Sequence, residues 1–102
     1  SELILLNQPF TAADALNWGL VGSVVPAAEV AAGAAARAGR LAGGPTLAYA
    51  AAKRALATAW ARPLADVLAA EQEDQQRLGL TGDHRDAVAA FLGKQRPVFR
   101  GR

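Results

Sequence analysis

Alanine occupies 26 of the 102 positions, and this narrows the fold more than any other feature of the sequence. Alanine loses no side-chain freedom in a helix and is the best helix former. It also buries little area, so a chain this rich in alanine makes helices readily and a hydrophobic core poorly. The bulkier apolar side chains are 13 Leu, 7 Val, 1 Ile, 3 Phe, 2 Trp and 1 Tyr. Small domains bury only about 60–65% of their unfolded surface, so such a chain is expected to lean on a neighbour. A hydrophobic share of 52% against 20% charged residues still places it among folded chains.

Several chemistries are excluded at once. There is no Cys, hence no disulfide scaffold, no Cys-ligated zinc and no thiol nucleophile. His84 is the single His, and no H-x-x-x-H or D-x-D-x-D-G spacing occurs, which argues against an all-protein metal site. The apolar runs fall well short of the roughly 20 residues that span a bilayer, and no basic-then-apolar leader opens the chain. A soluble, cytoplasmic protein without a membrane partner is the expectation. The net charge is only +2, and the basic residues are scattered except at the C-terminus. No nucleic-acid partner is expected from that balance.

Proline and glycine divide the chain into elements. Residues 2–6 are apolar and too short for periodicity to separate a strand from the end of a helix. Thr11 is placed to cap a short helix reaching Trp18, with Asp14 in its first turn and Gly19 at the left-handed position that ends it. Leu20 to Val25 reads as a brief extended piece. Pro26 suits the first position of a helix over 27–42, whose apolar stripe is Val30, Ala34, Ala38 and Leu41. Gly43-Gly44 ends it and Pro45 opens another, with Tyr49, Leu56 and Trp60 near one face. After Pro63 a helix over 63–79 carries Leu64, Val67, Leu68 and Leu78 on one side. Asp83 opens a last helix to about Leu92, with Val88, Phe91 and Leu92 as its apolar face. The expected class is mainly α, about five helices with at most one or two short extended segments.

Few residues offer chemistry. His84 lies at a helix start without a nucleophile beside it, and a solvated role is the plain reading. Glu71, Glu73 and Asp74 share one helix, whereas acid–base pairs need carboxylates on opposite sides of a substrate. Glu71 and Gln75 interrupt an apolar stripe at i, i+4 spacing and so fit a cleft or an interface. Gly43-Gly44-Pro45-Thr46 lacks the Lys-Ser/Thr of a phosphate loop. The richest feature is the tail, where Lys94, Arg96, Arg100 and Arg102 accompany Phe91 and Phe99. Cations beside aromatic rings suit a phosphorylated, base-bearing ligand; the plain alternative is a frayed terminus.

Four stretches, in order, resemble one family. Leu5-Leu6-Asn7-Gln8-Pro9-Phe10-Thr11-Ala12-Ala13-Asp14-Ala15 is similar to L-T-G-x-x-[FI]-[ST]-A-x-x-A. Trp18-Gly19-Leu20-Val21 with Val24-Val25-Pro26 is similar to G-L-V-x-x-V-V-P. Gly44-Pro45 followed by Ala52-Lys53-Arg54-Ala55 resembles a P…K helix. Thr81 to Arg102 resembles the closing [TS]-x-D-x-x-E-G-[VM]-x-A-F-x-E-K-R-x-P-x-F-x-G. Together they cover essentially the whole chain and mark it as similar to the C-terminal third of an enoyl-CoA hydratase/isomerase, of the crotonase superfamily.

The resemblance implies spiral ββα turns followed by a helical C-terminal region, trimers or dimers of trimers, and a coenzyme A thioester as substrate. Residues 1–26 would close the core region, and 27–102 would form the lid and oligomerisation region. The family's oxyanion-hole and acid–base segments lie upstream of these motifs, and no Gly-Ala-x-F-x-x-G-x-D or Gly-Gly-Gly segment occurs here. The resemblance therefore implies no catalytic residue in this chain and no activity for it alone. It also implies that Lys94 meets the phosphates of CoA, with Phe91 close by and Gln75 standing where the family often has an aromatic residue. Asp86, Ala87 and Gly93 replace the usual Glu, Gly and Glu. Self-association is expected of these helices when nothing covers them. A stand-alone helical interaction module is the alternative.

Overall fold

The computed structural model describes residues 2–102, and the regular structure in them is helical: α1 (Glu2–Leu6), α2 (Ala12–Asn17), α3 (Val30–Ala42), α4 (Thr46–Thr58), α5 (Leu64–Gly79) and α6 (Gly82–Leu92). Single 3-10 turns at Ala27–Glu29 and Ala59–Ala61 lead into α3 and out of α4. No strand occurs among the described residues. The mainly α class therefore holds, with six helices rather than about five because the apolar run at 2–6 is helical. Residues 20–25 form bends and coil rather than a strand.

Local chemistry explains the boundaries. Thr11 caps α2: its hydroxyl accepts from the Asp14 N–H at 3.1 Å, while the Asp14 carboxylate accepts from the Thr11 N–H at 2.9 Å. This reciprocal capping box satisfies two donors that a helix start leaves free. At the other end Gly19 takes φ +72, letting its N–H reach the Leu16 carbonyl and that of Leu20 reach Ala15. Pro26, Pro45 and Pro63 each stand just before a helix rather than inside its first turn. Their carbonyls accept the first helical bonds, from Glu29, Tyr49 and Val67 at 2.9, 3.0 and 3.2 Å. The missing proline N–H costs nothing at such a place.

The chain divides into two compact units, Ser1–Ala35 and Ala36–Arg102. In the first, Phe10 and Trp18 bracket α2 with their rings 5.3 Å apart, and Ala15 is buried. In the second, α4 packs on α5 and α5 on α6. Leu47 and Ala48 near the start of α4 share a pocket with Leu78 at the end of α5. Thr58 at the end of α4 shares a groove with Val67 near the start of α5. The two helices therefore run antiparallel.

The interior is nearly absent. Among the described residues only Ala15, Ala51 and Asp83 are buried, and most of the large apolar side chains are exposed: Trp60 is 99% exposed, Ile4 85% and Phe91 81%. This is the expected result of alanine-rich helices, which approach closely but enclose little. None of the described helices is long and apolar enough to cross a membrane.

Candidate functional site

The second unit concentrates its polar chemistry between Thr81 and Arg102. Thr81 caps α6, accepting from the His84 N–H at 3.2 Å and donating to the Leu78 carbonyl at 2.6 Å. One hydroxyl thus ends α5 and begins α6. The other end of α6 is closed by three backbone bonds, from Gly93 to Ala89, Lys94 to Phe91 and Gln95 to Ala90, at 2.9, 3.1 and 2.8 Å. The residue that must turn left-handed in this motif is usually glycine. Here it is Lys94, with φ +53, although Gly93 lies next to it. A side chain in that conformation costs about 1 kcal/mol.

Beyond the turn the tail folds back onto the start of α6. The Asp83 carboxylate is buried and accepts from two successive backbone N–H groups, Arg100 at 2.8 Å and Gly101 at 2.9 Å. The Asp83 N–H donates in turn to the Arg102 carbonyl at 2.9 Å. Gly101 makes this possible with φ +71, which aims consecutive N–H groups at one anion. The N–H of Arg100, then that of Gly101, holds the Asp83 carboxyl below the usual carboxylate range, against the opposing effect of burial. The Arg100 guanidinium lies 3.5 Å from Asp86 on the same helix. Phe99 is half-buried in an apolar cavity of about 140 Å³ beside Pro45, Leu47 and Ala87. The tail is docked, not frayed.

This arrangement sorts the four basic side chains. Arg100 is paired with Asp86, and the Arg102 backbone is tied to Asp83. Lys94 and Arg96 are exposed and have no carboxylate partner among the described residues. Phe91, also exposed, lies one turn before Lys94 at the same end of α6. Gln75 is exposed on α5 near the α5–α6 connection, at the opposite end of α6 from Lys94. Lys94 and Phe91 therefore share one end of a helix that Gln75 does not.

Among the acidic residues of α5, Asp74 ties helices together. Asp74 accepts from Arg54 of α4 at 3.1 Å and from Arg77 at 2.6 Å. Arg77 first, then Arg54, holds its carboxyl below the ordinary range, with desolvation opposing. Glu71 lines the α4–α5 groove with Arg54, Thr58 and Arg62. His84 is exposed at the rim of the Phe99 cavity. No group of three or more His, Asp or Glu that could hold a metal occurs among the described residues. Sequence reasoning treated Asp83 only as a helix opener. The signal available was its place in the closing motif together with Gly101, a glycine near the terminus that needs a reason.

Comparison with known proteins gives these features a lineage. The sequence profile of the Enoyl-CoA hydratase/isomerase family matches residues 1–102. A Rhodobacter capsulatus protein named as an enoyl-CoA hydratase is 38% identical over 98% of this chain and 39% of its own length. From Escherichia coli K12, 1,2-epoxyphenylacetyl-CoA isomerase and 2,3-dehydroadipyl-CoA hydratase are each 34% identical, over 38% and 40% of their lengths. A solved enoyl-CoA hydratase/isomerase from Mycobacterium abscessus superposes with a TM-score of 0.93 at 46% identity, over 98% of this chain and 39% of that one. The chain thus spans about two-fifths of the length of the curated relatives it matches. Its helices correspond to the C-terminal helical portion of the crotonase fold. With the family profile matched from end to end and 98% of the chain superposed on a solved relative, the chain belongs to the enoyl-CoA hydratase/isomerase family.

Proposed function

We propose that these helices form the cover and subunit-contact region of an enzyme that hydrates or isomerises enoyl-CoA thioesters, and that Lys94 attracts the phosphates of the CoA moiety. Catalytic groups for thioester chemistry, an oxyanion hole and proton-transferring carboxylates, come from outside these 102 residues. The observation that carries the reading is Lys94 itself. It is an ammonium without a carboxylate partner among the described residues, on a backbone fixed by three hydrogen bonds, at the position where the family resemblance puts a phosphate contact. Arg96 adds a second exposed cation, and Phe91 adds an exposed ring one turn away.

The names of the two Escherichia coli relatives support the division of labour. Their acyl groups differ, and CoA is what they share. A segment common to both is better suited to recognise the shared part of the substrate than the acyl chain. The outward apolar side chains, Trp60 and Leu80 among them, fit contact with the rest of such an enzyme and with other copies in a trimer or hexamer.

The test is Lys94→Ala in the enzyme carrying this chain. One charge-assisted phosphate contact corresponds to a rise of about 10-fold in KM for acyl-CoA, with kcat held within about twofold. The same acyl group on pantetheine, which lacks the nucleotide, should show equal KM for both proteins. An unchanged KM for acyl-CoA removes Lys94 from the site.

A further inference from the structure

Residues 93–102 are fixed at two places. At one end the backbone bonds of Gly93, Lys94 and Gln95 anchor the segment to the last turn of α6. At the other the Asp83 carboxylate grips the N–H groups of Arg100 and Gly101, while its own N–H holds the Arg102 carbonyl. Asp83 and its two partners are 17 and 18 residues apart, so this side chain closes a loop that contains α6 from its second residue onward. The cations Lys94 and Arg96 lie inside the closed segment, exposed and without a carboxylate partner among the described residues.

We infer that Asp83 is a positioning residue: by clasping the tail it holds Lys94 and Arg96 where they meet the phosphates of a CoA thioester. This rests on the reading of Lys94 given above. Three observations make the clasp suited to that task. The Asp83 charge is satisfied by backbone N–H groups, which leaves the side-chain cations available to a ligand. Asp86 takes Arg100 and the Asp83 charge attracts Arg102, which leaves Lys94 and Arg96 as the tail cations without a carboxylate partner among the described residues. The cap of α6 is Thr81, so loss of the Asp83 carboxylate leaves that helix start intact. With the clasp open, the strap must be ordered anew at each binding event, and that entropy opposes capture of the ligand rather than the chemical step.

The test uses the enzyme carrying this chain, with Asp83→Asn, Gly101→Val, Lys94→Ala and the Asp83→Asn/Lys94→Ala pair. Asparagine keeps the shape but turns one acceptor into a donor facing an N–H. Valine opens the clasp from the other side, because φ +71 disfavours it and its Cβ would lie 3.2 Å from the Thr46 hydroxyl. Asp83→Asn and Gly101→Val should each speed amide hydrogen exchange over residues 99–102 by about 10-fold. Both should raise KM for acyl-CoA by about fivefold with kcat within about twofold and leave KM for acyl-pantetheine unchanged, and on the Lys94→Ala background Asp83→Asn should add less than it does alone, the remainder falling on Arg96. Unaltered exchange in Asp83→Asn refutes the clasp. Faster exchange with an unchanged KM refutes the positioning role while the Lys94→Ala effect still stands. An unchanged KM in Lys94→Ala removes the reading beneath, and the positioning role falls with it.

Discussion

Lys94 carries a conformational cost that Gly93 was available to avoid. Replacing it with glycine should relieve the left-handed strain and raise stability by about 0.5 kcal/mol in urea unfolding, after the entropy glycine adds to the unfolded chain. The same variant should raise KM for acyl-CoA as Lys94→Ala does. A Lys94→Gly protein less stable than the parent would show that the side chain is anchored. Asp83 adds a pH dependence. Its carboxyl is depressed in the folded chain, so its stabilising effect is complete above the unfolded value near pH 4 and fades as pH falls through the folded one. The melting midpoint should therefore drop below about pH 4, and drop less in Asp83→Asn. Asp14, held down by Thr11, and Asp74 act in the same direction. At this scale the sequence was legible where partners are close: Thr11, Asp14 and Gly19 act within a few residues of themselves. Asp83 was not, because its partners lie 17 and 18 residues away. The left-handed turn at Lys94 was hidden by the glycine beside it.

Helix boundaries were largely readable because proline and glycine act locally. Pro26, Pro45 and Pro63 mark three starts, each displaced by one residue from the first helical position because the carbonyl, not the ring nitrogen, opens the helix. The stretch at 2–6 was ambiguous in sequence because five apolar residues have no period to read. Two joints between helices give contrasting expectations. Thr81→Val removes both the cap of α6 and the bond to Leu78, and should cost about 1 kcal/mol in chemical unfolding. Arg54→Ala breaks the tie from α4 to Asp74, but that guanidinium is 59% exposed. Its loss should cost under about 0.5 kcal/mol, and less still at high salt. Equal effects of the two would mean that α4 and α5 depend on their ion pair more than exposed pairs ordinarily allow.

In each of the two units the helices leave most of their large apolar side chains exposed. Composition foretold this: alanine supplies helix and little enclosed volume, and the side chains that could fill a core are the ones left bare. What composition does not specify is where the cations fall, because that follows from how the tail returns to α6. The claim at the centre of the account is that these helices evolved to lie against other protein. Sedimentation equilibrium of the 102-residue chain alone, across a wide concentration range, tests it most directly. The account predicts association that strengthens with concentration, as Trp60, Leu80, Phe91 and their neighbours find cover on other copies. A stable, folded monomer at the highest concentration would contradict it.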